Sequence, residues 1–141
     1  MVKDNIAFYI PVLAQQSVLT DYKFFCFNGV PQFMYVSQDK AEDPRTDFFD
    51  MQGKHLPIHM KDPNADLTPS LPLQFQLMKK MAKSMAFDFP FVRIDFYIVN
   101  NQIYFGEFTF YHASGFAPIY PEVWNKKIGN LVDLTQENKH A

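Results

Sequence analysis

A single cysteine, Cys26, occurs in the 141 residues. No internal disulfide can form, and no Cys/His spacing suggests a zinc site, so a reducing, cytoplasmic setting is the expectation. Charge of either sign is not in excess: 13 Lys and Arg against 15 Asp and Glu leave a net charge of -2. With no long basic run, a nucleic-acid partner has no electrostatic support. No apolar stretch approaches the ~18 residues of a membrane span, and the N-terminus lacks a signal-peptide pattern. Internal repeats and low-complexity tracts are also missing.

What is present is apolar and aromatic. Hydrophobic residues make up 48% and charged residues 20% of the chain, a balance that predicts one folded domain over residues 1–141. Sixteen phenylalanines point to strands around an aromatic core, or to a surface that wants a partner. Residues 6–13 suggest a short strand broken by Pro11. The first clear element is a hairpin over 19–36, where Asn28-Gly29 between apolar runs is a strong turn signal. Pro31 belongs at a strand start or edge. Lys23 alone interrupts an otherwise apolar first strand, so that strand is expected to be covered on both faces. Residues 37–69 read as a long connection with a short strand at Phe48-Phe49-Asp50. A helix follows over 70–86, capped by Thr68 or Ser70, with Pro72 in its first turn and Leu73, Leu77, Met81 and Met85 at helical spacing. A cap over 111–134 holds a short helix around Trp124. The fold class is α+β: an antiparallel sheet built from hairpins, with one main helix and short helices on one face.

The organising element is a central hairpin over 91–110, two β-branched and aromatic runs around Asn100-Asn101. Its scarce charges are Arg93, Asp95 and Glu107. A two-residue loop pairs Val99 with Gln102, sets Asp95 opposite Gly106 and sends Glu107 to the other face. A three-residue loop pairs Val99 with Ile103, so that Asp95 faces Glu107 and Arg93 faces Thr109. Two carboxylates so close repel unless a cation or proton sits between them. The three-residue register makes a site, and it is the expected one. The plainer alternative is a solvent face where the carboxylates pair with Arg93 and a lysine, worth little energetically.

The runs Asp21–Gly29, Phe91–Tyr97 and Tyr104–Phe110, in that order with a helix between, together with Pro121-Glu122-Val123-Trp124 near the end, resemble the TupA-like branch of the ATP-grasp superfamily. The resemblance extends over roughly residues 15–134. It implies the C-terminal lobe of an enzyme that binds Mg-ATP between two lobes, activates a carboxylate as an acyl phosphate, and serves cell-surface polysaccharide synthesis, where many relatives carry a glycosyltransferase label. On that resemblance Mg²⁺ and ATP are the cofactors. Asp95 and Glu107 hold magnesium, with Thr109 where many ATP-grasp enzymes have Asn. Lys23 and Arg93 are the catalytic and phosphate-contacting residues. His112 and Ser114 are substrate contacts, and the substrate is a carbohydrate or carboxylate. The first lobe has no counterpart in these 141 residues, so a homodimer or a partner chain is expected to complete the cleft. The competing expectation is a non-catalytic α+β interaction module that self-associates.

Overall fold

A computed structural model describes residues 20–38, 42–110 and 119–131. Six strands form one antiparallel sheet. They are β1 (Thr20–Phe27), β2 (Val30–Gln38), β3 (Arg45–Asp50), β4 (His55–Leu56), β5 (Phe91–Val99) and β6 (Gln102–Thr109), in the spatial order β4-β3-β2-β1-β5-β6. The helices among the described residues are α1 (Phe75–Ala86) and α2 (Val123–Gly129). The α+β class with an antiparallel sheet is therefore observed. The stretch read as a long connection carries β3 and β4, which complete the sheet beyond β2.

Alternation along β1 explains the layering. Phe24 and Cys26 point to one face and join Phe75, Met78, Ala82 and Ala86 of α1, together with Val92, Ile94 and Phe96 of β5. Phe25 and Phe27 point to the other face and join Phe33, Phe48, Ile58, Ile119 and Ile128 of α2. The main strand is covered on both faces, and the two helices lie over opposite faces rather than together. Burial pushes the Cys26 thiol up to about 12, so it behaves as a small hydrophobe.

The helix agrees in part with its sequence reading: Met81 and Met85 pack, partly buried, against the core. Leu73 is 97% exposed and Leu77 55% exposed, whereas the buried stripe is Phe75, Met78, Ala82 and Ala86. Phe75 stacks on Phe24 at 6.2 Å between centroids, and the alanines let the helix approach the sheet where larger side chains would not fit. Neither Thr68 nor Ser70 caps α1; its N-cap is Gln74, without a side-chain cap bond. Lys79 donates to the Met51 carbonyl at 2.9 Å and ties the helix to the β3–β4 turn.

Both long hairpins close through two residues with positive φ. Asn28 and Gly29 adopt 52° and 81°, Asn100 and Asn101 adopt 50° and 62°, the left-handed pair that matches strand twist in tight hairpins. Gly29 is also required by space, because a Cβ there would lie 2.2 Å from the Phe87 carbonyl oxygen. Pro31 sits beside a bulge, where Cys26 pairs with Pro31 and Phe25 with Phe33. That part of β2 extends past β3, so the missing N–H costs no ladder bond.

Candidate functional site

The central hairpin has the two-residue turn, not the three-residue one. Val99 pairs with Gln102, Ile98 with Ile103, Tyr97 with Tyr104 and Phe96 with Phe105. Continued unchanged, that register would turn Glu107 away from Asp95. Instead the register shifts between Asp95 and Phe96, so that Asp95 pairs with Glu107 and Arg93 with Thr109. The extra residue is Gly106, and a bulge moves everything beyond it by one position. A Cβ at Gly106 would lie 2.6 Å from Tyr97 Cε2 and 3.2 Å from the Asp95 carbonyl oxygen, which leaves room for glycine alone. The expected pairing is present by a different route, and a lone glycine inside a strand pattern was the available signal.

Register also delivers the lysine. β1 pairs with β5 so that Lys23 lies opposite Asp95 and Asp21 opposite Tyr97. Lys23 Nζ donates to Asp95 Oδ2 at 2.7 Å and lies 3.4 Å from Asp21 Oδ2. Arg93 Nε donates to Asp95 Oδ1 at 2.8 Å and Arg93 Nη2 to Asp95 Oδ2 at 3.0 Å. The same Nη2 lies 3.4 Å from Glu107 Oε1. A chain of alternating charge, Asp21–Lys23–Asp95–Arg93–Glu107, thus runs over β1, β5 and β6.

Its members are unequally buried. The Asp95 side chain is 1% exposed and that of Glu107 64% exposed. A carboxylate so buried is tolerable only because two cations and three short contacts replace its water. Burial works against the charge of Arg93, but hydrogen bonds and attraction from Asp95 outweigh it and raise its pKa. Burial raises the pKa of Asp21, against the pull of Lys23. Burial, and then the nearby Asp21 carboxylate, push the Tyr97 hydroxyl up to about 12, so Tyr97 stays a neutral hydrogen-bonding partner of Asp21.

The structure therefore brings together Lys23, Arg93, Asp95 and Glu107, with Thr109 across from Arg93. His112 and Ser114 lie outside the described residues. Asp21 and Tyr97 were missed by the sequence reading, although each stands two residues from a selected one, Asp21 from Lys23 and Tyr97 from Asp95, and so shares its face. A second buried carboxylate, Asp47, lies 2.9 Å from His55 Nε2 and accepts from the Ala65 amide at 3.1 Å. Its β2 partner is Val36, which belongs to the α1 cluster; Asp47 therefore ties His55 and the Ala65 backbone on the α1 side, away from the charged chain.

Among the described residues, no group of three or more His, Cys, Asp or Glu side chains could hold a metal by itself. The donor set of Asp95 and Glu107 still suits magnesium in kind, since hard carboxylate oxygens completed by phosphate and water are its usual shell. A guanidinium nitrogen already lies between the two carboxylates, which marks the position as one where a cation is held.

The antiparallel α+β sheet thus carries paired carboxylates and cations on one face. The family model described as TupA-like ATPgrasp matches residues 11–133, and the chain belongs to that family. Neither a curated protein nor a solved structure matches the chain. Among the described residues, no helix is long and apolar enough to cross a membrane.

Proposed function

We propose that the face bearing Lys23, Arg93, Asp95 and Glu107 binds Mg-ATP as one wall of an ATP-grasp cleft, in a ligase-type reaction of surface polysaccharide synthesis. Family membership supports the nucleotide. The single observation that carries the site is the convergence of two carboxylates and two cations from three adjacent strands, produced by two registers and one bulge. When bound, magnesium would neutralise phosphate charge, as phosphoryl transfer to a carboxylate requires. Asp95 and Glu107 would hold it, Arg93 would present its planar fork to phosphate oxygens, and Lys23 would hold the Asp95 carboxylate in place from β1. In this proposal the opposite wall comes from a partner lobe, and the acceptor is a carboxylate or carbohydrate.

Calorimetric titration with Mg-ATP tests this, and the choice of variant matters. Removing the Asp95 carboxylate leaves Lys23 and Arg93 buried without a counter-charge, at a cost of about 3–5 kcal/mol, so Asp95→Ala confounds binding with folding. Glu107→Gln alters an exposed group and is the cleaner probe. The expected result is loss of affinity by roughly tenfold or more, about 1.4 kcal/mol, with an unchanged melting temperature. Wild-type protein that takes up no nucleotide at millimolar concentration would overturn the proposal.

One observation favours a second reading, a non-catalytic self-associating module. Phe87, Phe89, Phe108 and Phe110 are exposed, and ring contacts run from Phe87 to Phe89, to Phe110 and to Phe108. They lie beside β6, an outermost strand of the sheet. A concentration-dependent dimer by light scattering that dissociates on Phe108→Ser, together with absent nucleotide binding, would establish that reading.

A further inference from the structure

We infer that Arg93 is an exchangeable occupant of the cation position between Asp95 and Glu107, which a divalent ion displaces and which then turns to the incoming phosphates. The inference rests on the proposal that these two carboxylates hold a divalent cation. Its basis is the unequal strength of the contacts. Arg93 grips Asp95 through Nε at 2.8 Å and Nη2 at 3.0 Å, but reaches Glu107 only at 3.4 Å. The last value is longer than a charge-assisted hydrogen bond should be. Glu107 is therefore held loosely, and at 64% exposure it has room to swing. Magnesium binds oxygen at about 2.0–2.1 Å, so an ion bridging both carboxylates needs Glu107 to close in and the Arg93 nitrogen to leave.

Departure of Arg93 would not leave Asp95 short of a second counter-charge, because the divalent ion would take its place while Lys23 stays at 2.7 Å from the neighbouring strand. This division of labour explains why a single buried carboxylate has two cationic partners: Lys23 is retained and Arg93 is replaced. The displaced guanidinium is planar, permanently charged and shaped for phosphate oxygens. Arrival of the metal and availability of the phosphate clamp become one event. An apolar residue in place of Arg93 would remove the occupant and the clamp together, with opposite effects on the two ligands.

Arg45 and Arg93 are the only arginines in the sequence, which makes the exchange directly visible. Each gives one side-chain Nε–H resonance in a ¹⁵N spectrum, and Arg45 serves as the internal control. In the metal-free full chain, the Arg93 resonance is expected to be protected from solvent exchange by its bond to Asp95. Addition of Mg²⁺ alone, then of ATP, is expected to shift the Asp95 and Glu107 amides while the Arg93 Nε–H loses protection and moves. Backbone shifts at both carboxylates with an unmoved, protected Arg93 resonance would overturn the displacement but leave the metal reading standing. No shift at either carboxylate, with Mg²⁺ or with Mg-ATP, would overturn both. As a second readout, Arg93→Gln is expected to bind Mg²⁺ alone about fivefold tighter, since the competent state no longer competes with an internal occupant, yet to bind Mg-ATP more weakly. Equal loss toward both ligands would assign Arg93 a purely structural role.

Discussion

At the scale of single residues, Asp21 shows how the charged chain is balanced. Its carboxyl is partly buried, and that burial raises its pKa above the ordinary 3.8 in spite of Lys23. A raised folded value means that the folded state prefers the protonated acid. Its stabilising contribution is present below pH 3.8 and is lost as pH rises through the folded value. Asp21→Asn, which mimics the protonated acid, is expected to melt higher than wild type at pH 7, with the difference shrinking at pH 3. Calorimetric melts at the two pH values check this, and a difference independent of pH would contradict it. Asp95 is a different case. Three donor contacts from Lys23 and Arg93 occupy its two oxygens.

At the scale of elements, the β5–β6 hairpin and α1 carry the consequences of phase. Gly106→Ala is expected to destabilise by about 1–3 kcal/mol, because the new methyl meets the Tyr97 ring and the Asp95 backbone together. Urea unfolding measures the loss, and a neutral result would mean that the bulge can relax. On α1, Met78→Ala is expected to cost about 2–5 kcal/mol as a cavity mutation. Leu77→Gln, on the exposed side, should stay within about 0.5 kcal/mol. The hairpins themselves were legible: Asn28-Gly29 and Asn100-Asn101 between apolar runs mark both turns by their tolerance of positive φ. The phase of the helix was less so. Leucines at 73 and 77 and methionines at 81 and 85 make a convincing stripe, of which the methionines do pack against the core, but shape rather than hydrophobicity chose the fully buried residues. Phe75 has Phe24 to stack on, and the small Ala82 and Ala86 admit close approach. Only the sheet surface, invisible in a local pattern, decides between two stripes one residue apart.

At the scale of the whole molecule, the sheet divides its two faces between different tasks. One face packs against α1 through an apolar layer, with Asp47 and His55 at its β3–β4 side. The other carries aromatic packing under α2 at the Phe27 end of β1 and the ion chain at the Asp21 end. The α+β class was legible because strand and helix patterns are strong in 70–110. β3 and β4 were harder to read because short strands rich in Asp, Thr and His resemble connections until a neighbouring edge pairs with them. Arg93, Asp95, Glu107 and Lys23 stood out in the sequence as charges among aromatics. Arg93, Asp95 and Glu107 meet within one hairpin, which its register made legible, whereas Lys23 joins them through a pairing between strands about seventy residues apart, which no periodicity can supply. Phe108 of the aromatic cluster follows Glu107 of the ion chain directly on β6.

The bulge has one further consequence, for insertions and deletions. Gly106 is a spacer that corrects the strand's frame after an even turn, and it faces no residue of its own. Excising it joins Phe105 directly to Glu107, and the uninterrupted two-residue-turn register then sets Glu107 opposite Asp95 without any bulge. Every other pair in the hairpin keeps its partner. Position 106 should therefore accept deletion more readily than enlargement. Length variation among natural versions of this hairpin would be expected to fall there, while a one-residue insertion elsewhere in β6 would need a second bulge to keep its carboxylate in place.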